Sequence, residues 1–317
     1  MVVTVVAELE IQRGDVGAGL VESGVPQVYC VGEATRVVGQ VPLGRKGCRK
    51  TGFVLPALTR IVRIRVGYGR KRVLLRRVAL GQRYDDRAMK PVDRIASAAE
   101  GRLGYIVPSC PGWQLADLVW HVGVVHMFWQ KVARGELSGP DAWREPVRPA
   151  DNDLLAWYRS SVDMTATVLD SLDVDTPAWT WGRQNTVGFI RRRVAQESAV
   201  HCWDATNAIG ADEPIAQTLA VDGVDEFVDE VLPGLSPDLG GPAHTICLRP
   251  DDSTDQWTVQ IGEGSARLIP ACRQVDVTVR APISDLLLFL WRRRSPHQVH
   301  VEGNMAALQR FLQRVEF

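Results

Sequence analysis

The sequence predicts an α+β protein: a four-helix bundle followed by a small domain of strands and helices. Three observations carry this expectation. Long stretches between residues 91 and 208 repeat apolar side chains at the helical period. Beyond a segment rich in Gly and Pro, Pro233–Pro242, the period switches to two. Composition also breaks near Met89: all ten Trp and all six His lie at or beyond Trp113.

Residues 1–88 hold 16 Lys/Arg against 7 Asp/Glu, and the rest of the 317-residue chain holds 21 against 30. The formal net charge of zero therefore hides two opposed regions. Apart from the alternating Ile61–Val66, apolar residues before Met89 keep no sustained period. The expectation is an extension that is disordered, or that reflects a start assigned upstream of Met89. A basic arm for nucleic acid is the weaker reading, because Phe53, Tyr68 and Tyr84 are the only stacking residues within the basic run. The expected division is 1–88, this extension; 89–212, the helical bundle; 213–242, a helix and linker; and 243–317, the C-terminal domain.

In chain order, Pro91–Leu103 reads as a short helix, and Val107–Trp113, with two prolines and a glycine, as a turn feeding the next one. That helix spans about Gln114–Gly135, with Leu115, Leu118, Val119, Val122 and Val125 on its buried side. Prolines at 140, 146 and 149 mark a loop, after which Asp151–Leu172 carries a broad apolar stripe from Leu154 to Leu169. Val187–Ala208 completes the bundle, uninterrupted by proline. Val221–Leu232 reads as one further helix. Strands are expected at His244–Arg249, Gln256–Ile261, Ala266–Ile269, Val275–Arg280 and Val299–Val301, and helices at Pro282–Trp291 and Met305–Val315.

Composition excludes several classes. At 45% hydrophobic and 23% charged it is that of an ordinary globular chain. No apolar run approaches membrane-spanning length, and Met1–Glu8 lacks the basic start of a signal peptide. Six scattered cysteines without a CxxC pair argue against a disulfide framework and fit a reducing cytoplasm.

The chemistry concentrates in Arg193–Ala205. Glu197 and His201 are four residues apart, which stacks them on one helix face. Carboxylate plus imidazole suits zinc or a similar divalent ion, although such a pair alone is more often a solvated surface pair. A facing helix must supply a third ligand. The helix after Trp113 offers His121 and His126, about 140° apart at 100° per residue, so both cannot reach one ion. His121, beside Asp117, Leu118 and Val125 on a largely inward face, is the better candidate; the bland alternative is a buried, hydrogen-bonded histidine. Cys202 reads as packed and inert, Asp204 as able to orient His201, and Arg191–Arg193 as available for substrate carboxylates or as a solvated face.

Val107-Pro-Ser-Cys-Pro-Gly-Trp113, Ala116-Asp-Leu-Val-Trp-His121-Val-Gly123 and Glu197-Ser-Ala-Val-His201-Cys-Trp-Asp204-Ala together resemble the mycothiol-dependent maleylpyruvate isomerase family. So do the closing Ser284–Trp291 and Val299–Gly303, and the resemblance covers about residues 92–317. It implies a DinB-like metal-binding bundle and a sterol-carrier-like C-terminal domain in an actinobacterial enzyme. It also implies a metal, typically zinc, on His121, Glu197 and His201. The cofactor it implies is mycothiol, whose thiolate adds to a conjugated cis double bond of a small electrophilic substrate. Rotation and elimination then give the trans isomer. Two positions depart from the family pattern: Gln196 replaces a common His and Cys202 a common Arg. The competing reading is a non-catalytic module, holding a metal structurally and binding a ligand or partner.

Overall fold

A computed structural model describes residues 7–8, 28–30, 36–39, 85–234, 242–262, 264–270 and 274–315. In the first of two compact units, Met1–Gly67, strands β1 (Ala7–Glu8), β2 (Val28–Cys30) and β3 (Arg36–Gly39) pair antiparallel in the order β1-β3-β2. The remainder of the expected extension before Asp85 lies outside the described residues, as does most of the expected linker, at 235–241.

The second unit opens with four helices: α1 (Asp85–Ala99), α2 (Leu115–Ala133), α3 (Asp151–Ser171) and α4 (Val187–Ala208). The last three follow the sequence expectation closely. The first does not: it begins before the expected boundary at Met89 and stops at Ala99, because Gly101 takes a left-handed φ of 69°. One apolar cluster joins all four helices through Ile95, Leu118, Leu154, Tyr158 and Ala205. A second gathers Trp129, Val168, Phe189 and Ile190. Helix α3 lies close to α2 because Gly123 has no side chain; a Cβ there would stand 2.3 Å from the Trp157 ring.

Helix α5 (Gln217–Glu226) starts four residues before the expected Val221, and continues through a π turn, Phe227–Val231, into Leu232–Gly234. Strands β4 (His244–Pro250), β5 (Trp257–Gly262), β6 (Ser265–Ile269), β7 (Val277–Ala281) and β8 (His300–Gly303) form a mixed sheet ordered β6-β5-β4-β7-β8, with β4 and β7 parallel. Helices α6 (Ile283–Leu290) and α7 (Met305–Arg314) complete a small mixed-sheet domain after the helical one. No described helix is long and apolar enough to cross a membrane.

Helix α4 contributes to each of the three apolar clusters among the described residues. Its Cys202 and Ala205 join the first apolar cluster, its Phe189 and Val194 the second, and its Ala199, Val200 and Trp203 pack with α5, the sheet and α6. A helix surrounded on all sides is usually apolar throughout. This one also buries Arg193, Gln196, Ser198, His201, Asp204 and Thr206, and each needs a partner.

Candidate metal centre

The turn before α2 is closed by its own backbone: Val107 donates to Trp113 O at 2.9 Å and Trp113 to Cys110 O at 3.0 Å. Gly112, at φ 85°, supplies the left-handed step between them. The turn brings Ser109, Cys110 and Trp113 to α4. Asp117, next on α2, receives the Gln114 N–H at 2.9 Å and an Arg148 N–H at 2.7 Å, so it caps the helix.

His121 and Glu197 approach from α2 and α4. His121 Nε2 lies 3.2 Å from Glu197 Oε1, and His201 Nε2 lies 3.1 Å from the same oxygen. Two imidazole nitrogens and one carboxylate oxygen thus fall within 4.8 Å of one another, a set able to hold a divalent ion. Their rings make an edge contact with centroids 5.0 Å apart, and Trp113 lies 5.0 Å from His121 and 6.4 Å from His201. His201 is buried, whereas His121 and Glu197 are half-buried, so the cluster has an inner and an outer side.

Asp204 lies behind His201, accepting from Nδ1 at 2.8 Å. It also accepts from Ser109 Oγ at 2.6 Å and from two nitrogens of Arg293, at 3.1 and 2.8 Å. Arg293 comes from the mixed-sheet domain, just beyond α6. There Arg292 adopts φ 65°, uncommon for a residue with a side chain, and the next residue, Arg293, bonds back to Leu288 O at 2.7 Å. Arg294 continues the seam, pairing with Asp212 at 2.7 Å and Asp285 at 2.7 Å above the Trp203 ring.

These contacts set the charges. Burial raises the Glu197 carboxyl, but hydrogen bonds from His121 and His201 and the Arg193 charge hold it well below the usual carboxylate range. Burial opposes the His201 charge too, yet Asp204 and Glu197 outweigh it and lift the imidazole to about 9. Burial likewise raises Asp204, but His201 and Arg293 hold it well below its ordinary value. Burial pushes the Cys202 thiol to about 11, in keeping with a packed, inert cysteine. Cys110, 3.7 Å from Asp204, is raised to about 11 by burial and by that carboxylate.

His126 lies apart from this set. It is 2% exposed and thus more deeply buried than His121, although it points to a different face of α4. Ser198 Oγ donates to Val194 O at 2.7 Å, so it must accept from His126 Nε2–H at 3.1 Å; Nδ1 has no hydrogen-bond partner. Burial lowers this imidazole to about 4, keeping it neutral.

The arginine run is not a solvated face, for each member is engaged within the protein. Arg191 reaches the Leu169 carbonyl, Arg192 pairs with Asp222 at 3.0 Å, and buried Arg193 bridges Glu226 and Glu197. Gln196 donates to Asp222 at 2.8 Å and to Leu219 O at 3.1 Å. Sequence reasoning missed Arg293, Glu226 and Asp222, because their partners on α4 are 89, 33 and 30 residues away and no local period announces them.

A helical domain whose polar cluster is backed by an arginine from a following mixed-sheet domain defines a class of two-domain protein with that cluster at the domain seam. The chain belongs to the mycothiol maleylpyruvate isomerase family: the model of that family's N-terminal domain matches residues 87–206, and that of its C-terminal domain residues 218–310. Among solved structures it is similar to the mycothiol-dependent maleylpyruvate isomerase, with 12% identity over 70% of this chain and 92% of that one, at a TM-score of 0.48. A mutant of that enzyme, with one histidine changed to alanine, gives 13% identity, the same coverage and a TM-score of 0.49. A UbiJ-SCP2 ubiquinone synthesis protein is 16% identical over 32% of this chain and 93% of that one, with a TM-score of 0.22. No curated protein sequence matches the chain.

Proposed function

We propose that the protein is a metal-dependent enzyme that uses mycothiol to isomerise, or to transfer the thiol to, a small electrophilic substrate. His121, Glu197 and His201 would hold the ion. The observation that carries this reading is the convergence of His121 Nε2, His201 Nε2 and Glu197 Oε1 in a chain of this family.

The residues fit a zinc-like ion by their chemistry. Two nitrogens and one oxygen are the borderline donors such an ion takes, and three protein ligands leave a position open. Asp204 engages His201 Nδ1 and so directs Nε2 toward the cluster. It is itself occupied by Ser109 and Arg293. His126 is committed to Ser198. Neither is then offered as a fourth ligand, which favours an enzyme over a structural metal module.

When bound, a divalent ion there supplies the positive charge that makes a thiol into a thiolate near neutral pH. The chain's own residues supply the rest. Trp113 covers one side of the two imidazoles, and the half-buried faces of His121 and Glu197 form the side from which a thiol can enter. Mycothiol held there would supply a thiolate able to add reversibly to a conjugated double bond, which would allow rotation to the isomer with no net redox change.

The test is metal analysis of the full-length protein followed by calorimetric titration with mycothiol. The expected result is one ion per chain and thiol binding that disappears with the ion. Stoichiometric metal with no thiol binding would favour the structural module instead.

A further inference from the structure

Arg193 is 5% exposed and lies one helical turn before Glu197. One nitrogen donates to Glu197 Oε2 at 2.7 Å, and the other makes a close ion pair with Glu226 of α5. The Trp291 ring lies 5.4 Å from its guanidinium carbon. With its fork occupied on both arms and its side chain buried, it has no face left for a substrate carboxylate.

Helix stability does not account for the arrangement. Within a helix, acid before base is the better order at this spacing, and here the base comes first. A buried guanidinium is also costly unless its partners are well placed. Those partners are divided: Glu226, fully buried and contributed by another element, takes one arm, and the other is reserved for Glu197. Meanwhile Glu197 Oε1 alone faces His121 and His201.

We propose that Arg193 is a positioning residue: it occupies Glu197 Oε2, so that Glu197 offers a metal ion Oε1 only, and Glu226 holds Arg193 in place. The inference rests on the reading of His121, Glu197 and His201 as metal ligands. A carboxylate can bind an ion through one oxygen or two. Tying up Oε2 keeps the ligand count at three and the entry position free. The guanidinium charge also draws electron density away from Glu197, leaving more of the ion's charge for an incoming anion.

The experiment uses the full chain loaded with one equivalent of Co²⁺, whose visible bands weaken as ligands are added. Wild type is compared with Arg193→Met, Arg193→Lys and the double variant Arg193→Met, Glu226→Gln, which removes both buried charges together and so avoids orphaning one. Arg193→Met and the double variant are expected to keep one cobalt per chain but to lose intensity by about twofold or more, as Oε2 joins the ion. Arg193→Lys, which can still occupy Oε2, is expected to restore the wild-type spectrum. Superposable spectra of wild type and the double variant at equal cobalt content would overturn the proposal. Cobalt uptake that is absent in wild type, or unaffected in His121→Ala, would instead overturn the metal reading and the proposal with it.

Discussion

Two histidines on α2, five residues apart, meet two different faces of α4. His121 meets a carboxylate and a second imidazole, with Asp204, Arg193 and Arg293 behind them. His126, buried, meets a serine hydroxyl. The more buried of the two hydrogen-bonds an uncharged hydroxyl, the more exposed one a carboxylate. Depth therefore does not distinguish a ligand-type histidine from a structural one; what distinguishes it is whether neighbouring charges converge on one point.

The sharpest way to break this contrast is metal content. With the three proposed ligands sharing a binding free energy of roughly 10–16 kcal/mol, His121→Ala should weaken zinc on the order of a thousandfold. His126→Gln should leave affinity within about threefold, since His126 neither belongs to the ligand set nor hydrogen-bonds a member of it. Equilibrium dialysis against a chelator reads both. Equal losses would mean that the two histidines do not divide in this way.

Next in size is the pH dependence of stability. His126 titrates at about 4 in the fold and near 6.5 unfolded. Between those values the unfolded chain binds a proton that the folded one refuses, so stability falls as pH drops through this window. The full loss is on the order of 3 kcal/mol. Urea unfolding from pH 7 to pH 4 should show a steeper decline in wild type than in His126→Gln; parallel declines would show that His126 is not held neutral.

Asp204→Asn tests the other side of the comparison. It keeps the shape but loses the charge that orients His201, and should lower metal affinity by about 10–100-fold. The smallest effect is a slope. Metal must displace the proton that Asp204 and Glu197 hold on His201 up to about 9, so zinc affinity should rise by about tenfold per pH unit below that value. Calorimetry in buffers of different ionisation enthalpy would count the proton, and release of none would remove His201 from the site.

The same contrast separates what the sequence makes legible from what it leaves hidden. Helices α2, α3 and α4 and the strands of the sheet follow from period and punctuation, because Leu118, Leu154 or Val259 repeat with the geometry they adopt. Glu197 and His201 are legible as a pair because one helix fixes their spacing. The partners of α4's buried charges are not. Asp222, Glu226 and Arg293 come from other elements, and only the packing of α5 and α6 against α4 assigns them. The π turn at Phe227–Val231 leaves no trace in the period either. His121 does face α4, as its place beside Leu118 and Val125 suggests, but the deeper burial of His126 is not legible in the period, because α2 is covered from several sides.

Helix α4, enclosed by all three apolar clusters, has a consequence for folding. Neither domain can shed the other at the cost of a greasy surface alone. Separation would strip Arg193 of Glu226, Arg192 and Gln196 of Asp222, and Asp204 of Arg293, leaving charges inside a wall that was built around them. Orphaning one member of a buried pair costs roughly 3–5 kcal/mol, comparable with a large share of a whole domain's stability. Heating should therefore carry the helical and sheet domains through a single calorimetric transition, and the site would vanish with the seam rather than before it.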